Sequence, residues 1–140
     1  MDQGRAAAAA MGLAGLAIAA VVIGPSVEWP WTSPRGDGDL PSCGSVDLGP
    51  GTGASQVPAD RAACLFDAAA ERLGAELEVV GYTTEGDPVP VYYRHHPGVS
   101  GLEVMADQTA DSYGSGGWIV SLCPEATSPH TLGVCTPRDS

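Results

Sequence analysis

Two groups of residues in this 140-residue chain have the types and spacing that chemistry needs. The first is the pair Asp107 and Asp111, within Asp107-Gln108-Thr109-Ala110-Asp111-Ser112-Tyr113-Gly114. On a helical turn, a spacing of four puts both carboxylates on one face. Together with backbone carbonyls they could hold calcium. The competing reading, which we prefer, is that each aspartate caps its local backbone in an Asx turn. No D-x-D-x-D-G loop is present. His95 and His96 are adjacent, and on a strand adjacent side chains point to opposite faces, so the two cannot readily chelate one ion. They read as exposed strand-end histidines, with His130 in the C-terminal tail. A metal-dependent or hydrolytic enzyme would need a histidine beside Asp107 or Asp111. There is no G-x-S-x-G. Gly114-Ser115-Gly116-Gly117 lacks the G-K-[ST] ending of a phosphate loop and runs into Trp118. No metal ligand set, catalytic residue or cofactor is assigned.

The second group is Tyr82, Tyr92 and Arg94, with Glu85 and Asp87 in the turn between them. Aromatic rings and an arginine on one open sheet face are what a binding patch uses. The alternative is that residues 44–50 or the tail cover that face.

These side chains must be positioned by strands. In Glu76–Thr83, Leu77, Val79 and Gly81 alternate with Glu76, Glu78 and Val80, a period of two. Glu85-Gly86-Asp87-Pro88 is a turn by composition. Val89, Val91 and Tyr93 then alternate with Pro90, Tyr92 and Arg94. After the turn residues Pro97-Gly98 and Ser100-Gly101, Leu102, Val104 and Ala106 alternate with Glu103 and Met105. A longer connection leads to Trp118–Leu122, where Ile119 is placed with Tyr82 and Tyr92. Short turns between successive strands predict an antiparallel meander of about four strands. Pro90 has no N–H to donate, which predicts an edge or a bulge there. One helix is expected over residues 58–73, with Pro58 at its first position, Gly74 at its stop, and Ala62, Leu65, Phe66, Ala69 and Leu73 on one stripe. Residues 44–57 suggest an edge strand at best. The expected fold class is α+β, one helix packed on one face of the sheet.

About a hundred residues make a small domain whose core usually wants staples. Cys43, Cys64, Cys123 and Cys135 fit that need as two disulfides. Four cysteines allow three pairings, of which Cys43–Cys64 with Cys123–Cys135 is preferred because the latter closes a short turn-rich loop. No two cysteines have zinc-site spacing. The net charge is −11, with seventeen acids, six arginines and no lysine. That balance argues against nucleic acid or an anionic lipid surface as a partner.

Residues 6–23 carry no charged or polar side chain. As a helix they would span roughly 27 Å, about one hydrocarbon thickness. A single-pass signal anchor and a cleaved signal peptide both fit, and Ala17-Ile18-Ala19 offers a small-x-small cleavage pattern. Trp29 and Trp31, just beyond the run, suit the headgroup region and favour the anchor. Either way the remainder lies outside the cytoplasm. Leu40-Pro41-Ser42-Cys43-Gly44 has the look of a lipid-attachment box but stands too far from the apolar run to be read as one. The organisation is therefore an anchor or signal over 1–24, a Pro/Gly-rich linker over 25–42, a domain over 43–123 and an irregular tail over 124–140.

The ordered elements Cys43-Gly44, Cys64-Leu65, Thr84-Glu85-Gly86-Asp87-Pro88-Val89, Tyr93-Arg94, Glu103-Val104, Asp107, Asp111-Ser112-Tyr113-Gly114 and Cys123 resemble small secreted or membrane-anchored actinobacterial proteins of uncharacterised function. That resemblance implies an extracytoplasmic domain and assigns no functional residue. Cys135 departs from the pattern. The function expected from the whole chain is a non-catalytic binding or interaction module of the cell envelope. Its partner would be an envelope protein or a small ligand, met through Tyr82, Glu85, Asp87, Tyr92 and Arg94. The alternatives are an enzyme using Asp107, Asp111 and a histidine, or a structural or regulatory membrane protein whose domain only positions the anchor.

Overall fold

A computed structural model of the chain describes residues 40–67 and 69–138. The apolar stretch 6–23, Trp29, Trp31 and most of the 25–42 linker lie outside the described residues. Among the described residues no helix is long and apolar enough to cross a membrane.

One six-stranded sheet organises the described chain, in the order β1 (Ser42–Asp47), β2 (Ala75–Tyr82), β3 (Pro88–His95), β4 (Leu102–Asp107), β5 (Trp118–Cys123) and β6 (Thr136–Pro137). Every neighbouring pair is antiparallel except β1–β2, which is parallel. The meander β2 to β5 follows the sequence alternation. Two strands flank it: β1 on one edge, where residues 44–57 suggested an edge strand, and on the other the short β6, which the alternation does not announce.

Because paired residues share a face, the register sorts the side chains. Leu77 and Val79 lie with Val91 and Tyr93, and with Leu102 and Val104, on the face that carries the core. Leu65 from the helical layer, together with Leu77, Leu102 and Cys123, is among the most deeply buried. Ile119 pairs with Ala106, which pairs with Val91, so it stands on this core face and not with Tyr82 and Tyr92 as the sequence suggested.

The helical layer is broken. Instead of one helix over 58–73 there are α1 (Ala59–Cys64) and α2 (Ala70–Leu73). Asp67 explains the break, since its Oδ1 accepts from the backbone N–H groups of Ala69 and Ala70 at 2.9 Å each and so caps a new turn. Pro58 sits just before the first helical residue. Leu73, placed on the core stripe by its spacing, is 60% exposed because the second helix turns it outward. Gly74 ends α2 at φ +76°, the left-handed conformation a helix stop favours.

Pro90 lies in an interior strand, opposite Val80. It stands one residue beyond the last β3–β4 pair, Val91 with Ala106, so its missing N–H withdraws no bond from that ladder. The predicted edge position is thus replaced by a ladder end.

Disulfides Cys43–Cys64 and Cys123–Cys135 are formed. The first ties β1 to α1, and Arg61 Nη1 reinforces the junction by donating to the Cys43 carbonyl at 2.7 Å. The second holds the tail, which is more structured than its composition implied. It supplies β6, the bridge Ser128–Thr131 and buried Ala126. Gly101, at φ +80°, lets the β3–β4 turn approach the Cys123 carbonyl and Pro124, where any side chain would collide. Two disulfides fit an oxidising environment outside the cytoplasm.

Candidate functional site

The sheet face opposite the core carries a charged row. Glu76 pairs with Arg94, and Arg94 pairs with Glu103, so three strands present acid, base and acid side by side. Arg94 Nε donates to Glu76 Oε2 at 2.7 Å, and its Nη1 lies 3.9 Å from Glu103 Oε2. Nη1 also meets Met105 Sδ at 3.8 Å. Glu103 is only 1% exposed. Its carboxylate further meets His96 Nε2 at 3.0 Å and, from the tail, Arg138 Nη1 at 3.7 Å. A buried carboxylate is tolerable only when surrounded in this way.

Tyr92 is part of the same enclosure. Its hydroxyl donates to Glu78 Oε1 at 3.3 Å, and its ring stacks on Trp118 with centroids 5.8 Å apart. Tyr82, Tyr92 and Arg94 do share a sheet face, as the alternation proposed. Yet Tyr92 and Arg94 are buried and engaged, whereas Tyr82 is half-buried and its hydroxyl donates to Asp47 Oδ2 at 3.1 Å. That hydrogen bond, foremost, raises the Tyr82 pKa above the ordinary tyrosine value. Glu85 is exposed at the turn. Asp87 ties that turn to the β4–β5 connection, its Oδ2 accepting from Ser112 N at 2.8 Å.

His95 and His96 are buried, not exposed, whereas His130 in the tail is exposed. His96 meets Glu103, while His95 points to the core face, 4% exposed, with its ring edge-on to Phe66. Neither ring nitrogen of His95 has a hydrogen-bond partner. The two aspartates form Asx turns: Asp107 Oδ1 accepts from Thr109 N, and Asp111 Oδ1 from Tyr113 N and Gly114 N. Asp107 ends β4, four residues from the Glu103 that holds His96, about 13 Å along the strand. Histidine and aspartates are not brought together, and among the described residues no three metal-ligating side chains cluster.

The structure does assemble a cavity of about 290 Å³ on the core face, at the end of β2 and β3 farthest from α2. Val79, Val89 and Val91 make its floor; Leu48 and Ala54, from the segment after β1, make one wall. Gln108 and Asp111, from the β4–β5 connection, make the other, with Tyr82 at the rim. Tyr93 also lines it. This tyrosine is only 5% exposed, and burial alone pushes its hydroxyl pKa above the ordinary value. Among the described residues no group hydrogen-bonds that hydroxyl. Asp111 accepts two bonds on Oδ1, and its Oδ2 occupies the space where a Gly114 side chain would stand. Sequence reasoning placed Val89, Val91 and Tyr93 on one face but missed the cavity, because its walls come from four separate segments.

Comparison with protein-family models, with curated proteins and with solved structures gives no match.

Proposed function

We propose that the chain is an extracytoplasmic, non-catalytic binding module of the cell envelope, held at the membrane by residues 6–23, and that its recognition site is the cavity over β2 and β3. The observation that carries this reading is the concave, mostly apolar hollow that Tyr93 lines. A hydroxyl reachable from an apolar space can give a bound ligand one oriented hydrogen bond. A few polar groups converging on an apolar hollow is the usual form of a ligand site. At 290 Å³ the space suits a small molecule or one side chain of a larger partner. The two disulfides support the placement outside the cytoplasm.

A thermal-shift screen of small organic fragments against the full chain tests the reading. A ligand at ten times its Kd stabilises the folded state by about 1.4 kcal/mol. Hits that stabilise the wild type and fail to stabilise the cavity-filling variant Ala54→Phe support the site. Equal stabilisation of both forms refutes it. Intact mass of the envelope-fractionated protein tests the placement: retention of residues 1–24 supports the anchor, and their loss replaces it with secretion.

A further inference from the structure

We propose that residues 31–39 of this chain lie as a strap across the charged face of the sheet, with the Trp31 ring against Tyr92 and Trp118. The starting point is a burial for which the described residues supply no cover. On that face Glu103 and Met105 are no more than 2% exposed, and Arg94, His96 and Tyr92 are buried as well. A sheet with one open face keeps that face in water. Burial to this degree needs a second layer. Yet the described layers belong to the core face. Val57, Ala62 and Leu65 pack there, as do Ala126, Leu132 and Cys135 from the tail. Leu48, Ala54, Gln108 and Asp111 wall the cavity on the same side. Over the charged face, among the described residues, stand only neighbouring side chains: the Trp118 ring on Tyr92, and the partly exposed guanidinium of Arg138.

The burial is present in a single chain, so the chain itself supplies the cover. Outside the described residues the chain has 1–39, 68 and 139–140. Residue 68 falls between α1 and α2, in the layer on the other face, and two terminal residues cannot roof a face several strands wide. That leaves residues 1–39. Two compact units divide the chain between Pro30 and Trp31, which puts 31–39 with the sheet. The point of entry fits. Leu40 packs beside Gly74, and the Pro41 carbonyl accepts from Glu76 N at 2.9 Å. Glu76 is the first acid of the charged row, so the chain joins the domain at the edge of that face. Extended in the polyproline manner, residues 31–39 reach about 28 Å. Crossing from β1 to β5 takes four strand spacings, about 19 Å. Pro34 favours that conformation, which needs no backbone pairing from the sheet. Trp31 is the one large apolar side chain in the segment. The face offers it an aromatic patch, since Tyr92 pairs with Met105 and stacks on Trp118. A further ring gains there from offset or edge-to-face contact. With the strap in place, only residues 24–30 remain as linker after the apolar run.

The test uses the full chain in detergent micelles with methyl-labelled methionine. Its methionines are Met1, Met11 and Met105, so the Met105 signal is readily assigned. Trp31→Ser should move that signal, because the ring beside it is gone, while Trp29→Ser should leave it in place. Trypsin gives a second readout. The chain has no lysine, and Arg35–Gly36 is the sole tryptic bond between residues 6 and 60. It should be protected in the wild type and cut about tenfold faster in Trp31→Ser, as a segment freed from local protection is. The substitution touches no core residue and neither disulfide. A Met105 signal or a cleavage rate that Trp31→Ser leaves unchanged overturns the strap. So does a Met105 signal that moves on dilution, which assigns the cover to a second copy of the chain. Broadening of that signal by spin-labelled lipid assigns the cover to the membrane and overturns it too.

Discussion

Glu103→Gln is the substitution that most directly probes what holds the sheet's polar face. The wild-type carboxylate is almost wholly buried and lies within 3.0–3.9 Å of His96, Arg94 and Arg138. Glutamine keeps the shape and one acceptor oxygen but removes the charge. Breaking a buried ion pair from one side costs about 3–5 kcal/mol, because the partner charge is stranded. Arg94 retains its 2.7 Å bond to Glu76, so the lower end applies, about 3 kcal/mol. For a domain of roughly a hundred residues that is a fall in Tm of about 12–24 °C. The assay is urea and thermal unfolding followed by circular dichroism, disulfides intact, with exposed Glu85→Gln as the control, expected to change stability by less than about 0.5 kcal/mol. If Glu103→Gln unfolds with the wild-type midpoint, the row Glu76–Arg94–Glu103 contributes no net stability and the reasoning fails.

Other outcomes follow from the same structure. His95→Leu replaces two orphaned ring nitrogens with an apolar side chain and should stabilise by about 1 kcal/mol, measured by urea unfolding; a loss of stability would mean that the imidazole finds a partner in solution. Replacing Cys43 and Cys64 together by alanine opens a cross-link of sequence separation 21 and should cost about 3 kcal/mol on the chain-entropy account, read as a lower urea midpoint. Tyr93 has a folded pKa raised by burial, so its contribution is fully present below the unfolded value near 10 and is lost as pH rises through the higher folded value. Unfolding midpoints should therefore drop on the alkaline side of about pH 10, and Tyr93→Phe should reduce that drop; an unchanged alkaline profile in the variant would contradict it.

Much of the sheet was readable from the sequence, because period-two alternation is a direct imprint of one buried face. Leu77 and Val79, Val91 and Tyr93, and Leu102 and Val104 all landed where alternation puts them. β1 was harder: Ser42–Asp47 has only Val46 as an inward aliphatic, and its parallel partner lies far along the chain. The helix break escaped because the 3–4 spacing runs on through Asp67, whose side chain prefers to cap. Burial of His96, Arg94 and Glu103 runs against residue type, yet a signal for it existed. Closing the hairpin on Glu85 sets Glu76 and Arg94 each nine residues away, directly opposite one another. Opposite charges in register on an interior strand are the mark of a buried pair. The cavity had no such signal, since Ala54 and Asp111 meet β3 only through tertiary folding.

The central claim is that the hollow beside Tyr93 is where this module meets its ligand. The most direct measurement is methyl NMR of the full chain titrated with the fragments that stabilise it, wild type against Ala54→Phe. Saturable shifts confined to Val79, Val89 and Val91 in the wild type, and absent when the cavity is filled, are what the account predicts. Shifts that fall elsewhere on the sheet, or that persist unchanged in Ala54→Phe, would contradict it.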